Sequence, residues 1–303
     1  MAVNLRDSAA AVRLLTTWMG ARKALSAAQN QKAAEPFEAE GNMLSASKRL
    51  FNTKAPPWRN LCAIRTECRN YWYADSLPWI EDGIRLVPKS RLDAFLANID
   101  AYALRLDGAV AEFQAAYPSL REEAKGRLGA LFNAGDYPES VVGLFGIERE
   151  IVSVEPPNYL KELNPAEYDK QMARVQAKFD TAVTLAEQAF TEEFAKLVGH
   201  LCERLTGKDD EGKAKRFAAA NIDNLRQFFG RFKALNPSDN AELDGLIAKA
   251  QDIVAGIEPQ QLRDDVGLKA GLAAKLGEVS AALDKLMESK PRRMVDRPAP
   301  EAA

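Results

Sequence analysis

The sequence predicts a mainly α protein: a long antiparallel helical hairpin, coiled-coil-like, on a base of shorter helices, with a small β element. Three observations carry that expectation. Leu92, Phe95, Ile99, Tyr102, Leu106, Val110, Phe113, Tyr117 and Leu120 recur at steps of three and four, one stripe of an amphipathic helix. Met172, Val175, Phe179, Val183, Ala186, Phe190, Phe194, Leu197 and Leu201 repeat the pattern after a Pro/Gly-rich interval. At 1.5 Å per residue the two helices would run roughly 45–50 Å and 60 Å. Stripes that long are most easily buried against each other.

Taken in order, residues 11–19 fit two elements. Val12, Leu14, Thr16 and Trp18 alternate like a strand, whereas Val12, Leu15 and Met19 have helical spacing. Gly20 breaks either one, and Ala21–Ala34 reads as helix ended by Pro36. A short helix is expected over Asn42–Phe51, then a turn over Asn52–Pro57. Trp58–Ala74 is a helix with Leu61, Ile64, Cys68, Tyr71 and Trp72 on its apolar side and Arg59, Arg65 and Arg69 elsewhere. Leu77–Pro88 reads as a small hairpin, because Asp82-Gly83 between apolar residues is a strong turn signal and the prolines suit an edge. Ser90 is the expected N-cap of the first long helix, and Asn164-Pro165 supply N-cap and N1 of the second. Pro118 predicts a kink or an early end.

Between the long helices, Glu139–Phe145 suits a short helix, and Ile147–Val154 is β-prone. That strand is expected at the end of the hairpin or paired with 77–87. A third helix runs through Phe217, Asn221, Leu225, Phe228, Phe232 and Leu235, and two more span about 240–256 and 260–288. The resulting organisation is an N-terminal helical base with a β hairpin (1–88), the long hairpin (89–206) with an irregular or β insertion at 127–160, C-terminal helices (207–289), and a disordered tail (290–303).

At 303 residues, 47% hydrophobic and 28% charged, the chain can bury an ordinary core. A net charge of −2 gives no push towards nucleic acid or acidic membrane. No apolar run approaches the ~18 residues of a membrane span. Met1–Gly20 lacks a basic segment followed by an apolar one, so no signal peptide is expected. Cys62, Cys68 and Cys202 are too few and scattered for a disulfide framework, which points to the cytoplasm.

The single histidine, His200, removes most nucleophile–imidazole chemistry, and the residue three before it is Leu197, not the glutamate of a di-iron pair. Cys62 and Cys68 share no helical face, so zinc is not expected. Gly207-Lys208 lacks the rest of a phosphate loop. Glu122-Glu123, Asp209-Asp210-Glu211 and Asp264-Asp265 read as solvated faces or caps. Neither a cofactor, a metal nor a catalytic residue is expected.

Two groups of residues could bind a partner. Phe132, Tyr137, Val141, Val142, Leu144, Phe145 and Tyr159 are more apolar than an exposed connection needs, and form either a docking patch or a local plug. Arg65, Arg69, Tyr71 and Trp72, with Lys213, Lys215 and Arg216, combine cations with aromatic platforms, as single-stranded nucleic-acid sites do.

Several stretches also resemble a known family. They are Trp18–Leu25, Ser47–Leu50, Arg69–Trp72 running into Ser76–Trp79 and Gly83–Pro88, Phe113 with Tyr117, Leu128–Phe132 with Asp136–Pro138, and Asn224-Leu225. Together they look like an uncharacterised bacterial and phage family, a domain of unknown function encoded beside MoxR-type AAA+ ATPases and von Willebrand A-type proteins. The resemblance supplies no catalytic residues. It implies a non-enzymatic, ATPase-associated helical partner, acting in the bacterial host cytoplasm if phage-encoded. Self-association and nucleic-acid binding are the alternatives to that partner.

Overall fold

The computed structural model describes residues 5–207, 219–258, 262 and 265–289. Its helices are α1 (Leu5–Ser8), α2 (Ala27–Ala34), α3 (Pro56–Ala74), α4 (Leu92–Leu128), α5 (Tyr159–Leu163), α6 (Pro165–Thr206), α7 (Ala220–Leu235), α8 (Ala241–Val254) and α9 (Val266–Ser289). Its strands are β1 (Ala9–Trp18), β2 (Arg22–Ala24), β3 (Ser47–Arg49), β4 (Leu77–Pro78), β5 (Ile84–Pro88) and β6 (Phe145–Val152). The fold is mainly helical with a small antiparallel sheet. Two compact units divide it: the described residues of Ala9–Ser76 with Glu81–Val154, and those of Met1–Ser8, Leu77–Ile80 and Glu155–Ala303.

In the first unit β1 settles the open question over 11–19 as strand. It pairs antiparallel with β5 on one side (Val12 opposite Arg85) and with β6 on the other (Val12 opposite Ile151). The β-prone 147–154 segment therefore pairs with β1, not with 84–88. Alternation turns Val12, Leu14 and Trp18 to one face, where Val87, Phe145 and Ile147 join them in the core. Helices α3 and α4 cover that face. An aromatic cluster fills the middle: Trp18 lies 4.9 Å from Phe145, Phe51 lies 4.8 Å from Trp58, and Phe113 lies 5.4 Å from Phe51 and 5.6 Å from Trp58. Edge-on and tilted geometries of this kind add favourable electrostatics to the burial.

In the second unit α6 packs on α9 and α7. Phe190 and Phe194 meet Phe228, Phe229 and Phe232 of α7, with Phe194 and Phe228 stacked at 5.4 Å. Nearer its N-terminus, α6 sets Phe179 against Trp79 at 4.8 Å. Asn164 caps α6 as expected, its side chain accepting from the Glu167 amide at 3.1 Å with Pro165 at N1. Asn240 does the same for α8, accepting from the Glu242 and Leu243 amides.

Several expectations need correction. Both apolar stripes are buried, each inside its own unit and against other elements, so their burial does not confirm the expected 89–206 hairpin. Periodicity fixes which face of a helix is apolar and leaves its cover open. The expected 1–88 base is built on strand β1 as much as on helix. Ala21–Ala34 divides into β2 and α2, and the expected helix over Asn42–Phe51 is a 3-10 turn at Gly41–Met43 followed by β3. The apolar residues there lie at its two ends, and Leu50 and Phe51 reach the core directly after β3. Glu139–Phe145 is turn and strand, not helix. Helix α4 starts after a 3-10 turn at Lys89–Arg91 with no side-chain cap from Ser90, and it continues through Pro118. The turn at Asp82-Gly83 stands as read, with Gly83 at φ +79°. The tail at 290–303, Lys213, Lys215 and Arg216 lie outside the described residues.

Truncating a fully buried phenyl ring tests each core by itself. Phe113→Ala in the first unit and Phe194→Ala in the second should each cost roughly 3–5 kcal/mol in chemical denaturation. Losses under about 1 kcal/mol for either would mean that its stripe is not core.

Candidate functional site

The residues of the 127–160 interval act mostly as a plug. Tyr137, Val141 and Phe145 are buried, and Phe132 and Leu144 pack against the same core. Tyr137 stacks on Phe132 at 5.0 Å and its hydroxyl donates to the Leu50 carbonyl at 2.6 Å. Gln114 of α4 holds the loop from below, its Oε1 accepting from the Val141 amide at 2.8 Å. Only two of the seven candidates face solvent: Val142, 66% exposed, and Tyr159, 64% exposed. They belong to different units.

Tyr159 has a companion that the reading of the sequence missed. Leu163 lies four residues on in α5 and is 76% exposed. Residues four apart share a helix face, so the two form one apolar strip on a helix that rests on α6. The i, i+4 spacing was the available signal. Leu163 went unmarked because it precedes the Asn164-Pro165 cap and lies outside the long stripe.

On α3 the arginines and rings are turned inward or used locally. Trp72 is buried, and Tyr71 is half-buried, stacked on Phe95 at 5.4 Å and donating to Asp75 at 3.1 Å. Arg65 lies 4.1 Å from the Trp18 ring. Arg69 is exposed beside Tyr73 at 5.7 Å. Arg85 of β5 donates to Ser76 Oγ (2.7 Å), the Ser76 carbonyl (2.8 Å) and the Tyr73 carbonyl (3.2 Å). It thereby caps the C-terminal end of α3, where a cation is favoured. Burial lowers Arg85 to about 10, so it remains charged at neutral pH. Burial, followed by the Asp75 carboxylate, raises Tyr71 to about 12.

A buried ion pair is the other concentration of charge. Lys48 of β3, 8% exposed, meets Asp136 at 2.6 Å and donates to the Leu131 carbonyl at 2.6 Å. The pair ties the β2–β3 ribbon to the 129–137 turn. Nearby, a cleft of about 210 Å³ lined by Arg49, Phe51, Glu123 and Arg127 is smaller than the roughly 300–1,000 Å³ of small-molecule sites.

The remaining titratable groups are dispersed. His200 is exposed on α6 and accepts at Nε2 from Arg204 Nε at 3.3 Å. Burial pushes the Cys68 thiol to about 11 and also raises Cys62 and Cys202. Glu122 and Glu123 pair with Lys125 and Arg127, while Asp265 accepts from the Leu268 amide at 2.8 Å at the start of α9. Among the described residues no three His, Cys, Asp or Glu side chains gather as metal ligands would, and no helix is long and apolar enough to cross a membrane.

Two measurements check this electrostatic reading. Asp136→Asn should destabilise by roughly 3–5 kcal/mol, because it strands a buried ammonium, whereas Lys48→Met with Asp136→Leu should cost far less. Equal losses in the two variants would show that the ion pair is not the relevant feature. For Tyr71 the folded state keeps its proton up to about 12 while the unfolded chain loses it near 10.0, so stability falls as pH rises through that window. Denaturation midpoints measured across the window should fall less steeply in Tyr71→Phe than in the parent.

Comparison of the chain with protein-family models, with curated proteins and with solved structures finds no match.

Proposed function

We propose that the chain is a non-enzymatic interaction or scaffold protein that docks a MoxR-type AAA+ ATPase through the outer face of α5. The observation that carries this reading is the Tyr159–Leu163 strip: two large apolar side chains, one helical turn apart, both mostly exposed on an ordered helix. Isolated exposed apolar residues are ordinary on any surface, but an aromatic paired with a leucine on one face is how short helices present anchors to a groove. Aromatic anchors of this kind carry most of the energy of protein–protein contacts.

The choice of partner class rests on the resemblance described above, whose members are encoded beside such ATPases. Nucleic-acid binding is the weaker reading, because Trp72, Tyr71 and Arg65 already spend their faces on internal contacts. A protein of this kind works by holding its partner in place, so the dispersed titratable groups are no obstacle to it.

Co-purification with a MoxR-type ATPase tests the proposal. The parent chain should retain the ATPase. Tyr159→Glu with Leu163→Glu should reduce retention by about tenfold or more, with helicity and melting unchanged. Undiminished retention by the folded double variant would remove α5 as the docking face, and failure of the parent chain to bind would remove the ATPase as partner.

A further inference from the structure

The chain between β2 and β3 forms an arm. Arg22–Ala24 pairs with Ser47–Arg49 as a two-stranded ribbon, extended by the Leu25 amide to the Ala46 carbonyl (3.0 Å) and the Leu50 amide to the Ala21 carbonyl (2.9 Å). Beyond the ribbon, α2 and two 3-10 turns pack on each other. A capping box of Ser26 and Gln29 starts α2. Gln31 accepts from the Gly41 amide at 2.9 Å, and a Cβ at Gly41 would come within 2.5 Å of Gln31 Cα. The projection is therefore ordered by its own contacts.

Its surface is unusual in two respects. Phe37 and Met43 at the far end are 81% and 83% exposed. Charge is also unevenly divided along its length, although Lys32 of α2 is an exposed base one turn before Glu35. Glu35, Glu38 and Glu40, all exposed at the tip, are the only carboxylates between Asp7 and Glu67. At the base Arg22 stands directly opposite Arg49, with Lys23 beside them, and all three are exposed. Like charges paired across a ribbon are unfavourable unless an anion lies near. Of the acids nearby, Asp136 holds Lys48 at 2.6 Å, and Glu123, which shares a cleft with Arg49, pairs with Arg127 at 2.8 Å.

We propose that this arm is a self-association element: two copies of the chain lie antiparallel about a two-fold axis, each acidic tip seated on the basic base of the partner's arm. Antiparallel pairing is the arrangement that sets Glu35, Glu38 and Glu40 against Arg22, Lys23 and Arg49 at both ends at once. It also covers Phe37 and Met43 in each copy, and it closes, as an isologous contact must. Complementary fields at both ends supply orientation and speed of encounter. The inference shares with the proposed function only the premise that the chain is an interaction protein, and it uses a different surface.

Sedimentation equilibrium on the full chain tests it. The parent should show a monomer–dimer equilibrium whose Kd rises about tenfold or more when salt is raised from about 50 mM to about 500 mM. Phe37→Ala should raise Kd by about tenfold or more. Glu35→Lys with Glu38→Lys, and separately Arg22→Glu with Lys23→Glu, should each be monomeric alone. Mixed together they should form a dimer, since each reversed tip then faces an opposite base. The substituted side chains are exposed, and melting by circular dichroism verifies folding; the single variants Glu40→Lys and Arg49→Glu replace any double variant that does not fold. A parent that remains monomeric throughout overturns the proposal, as does association that neither reversal weakens, or reversed variants that fail to associate on mixing. A monomeric parent that binds a single-stranded oligonucleotide through Arg22 and Lys23 would equally overturn it, assigning the base to phosphate. ATPase retention by the arm variants, and dimerisation of the α5 variant, keep the two proposals separate.

Discussion

The constraint on which the structure depends is that each of two very long helices must find apolar cover along its whole length. α4 and α6 carry stripes that run nearly end to end, and a stripe left in water costs about 25 cal/mol for each Å² exposed. The two helices meet the constraint differently. A sheet and a second helix cover α4, so its stripe meets flat β-branched and aromatic surfaces at Val12, Phe145 and Ile147. Helices cover α6, and there phenyl rings interleave between α6 and α7. Helix length is thus turned into two separate cores.

Strand β1 makes the first of these cores possible. Paired on both edges, it brings β5 and β6, distant in sequence, into one sheet. The 129–154 segment is folded back by this pairing, and Tyr137, Val141, Phe145 and Ile147 end in the core. The polar contacts then lock what burial has assembled. Arg149 of β6 binds Asp100 of α4 through two hydrogen bonds of 2.8 Å, Arg91 meets Asp75 at 2.5 Å, and Arg85 closes the end of α3. The exposed Arg149–Asp100 pair adds little to stability by itself. The buried Lys48–Asp136 pair is different, since losing either partner leaves a charge without water.

The two proposals rest on surfaces that the cores leave over. Most apolar side chains outside the stripes are used as packing; Leu104, Val142 and Ile151 are exposed singly, and two places expose a pair. On α5 the chain spends a tyrosine and a leucine on solvent. In the arm it spends a phenylalanine and a methionine, within a stretch where charge is divided by sign. Neither surface is a cavity, and neither needs catalytic groups. Both expose large apolar side chains to solvent.

Much of this was written in the sequence, because local chemistry needs only near neighbours. The two stripes, the Asn164 cap and the turn at Gly83 follow from residue type and spacing. Leu163, at i, i+4 from Tyr159, and the clustered carboxylates of the arm are legible in the same way. What only the tertiary structure decided was the identity of each partner. Residues 9–18 fit strand and helix alike, and β-pairing with two distant segments chose between them. The long stripes matched each other in period as well as they matched their true covers, since periodicity names an apolar face and is silent about what lies on it. Whether Phe145 was a patch or a plug likewise turned on a strand that alternation alone could not place: its side chain is core because β6 pairs with β1, a non-local contact with no local signature.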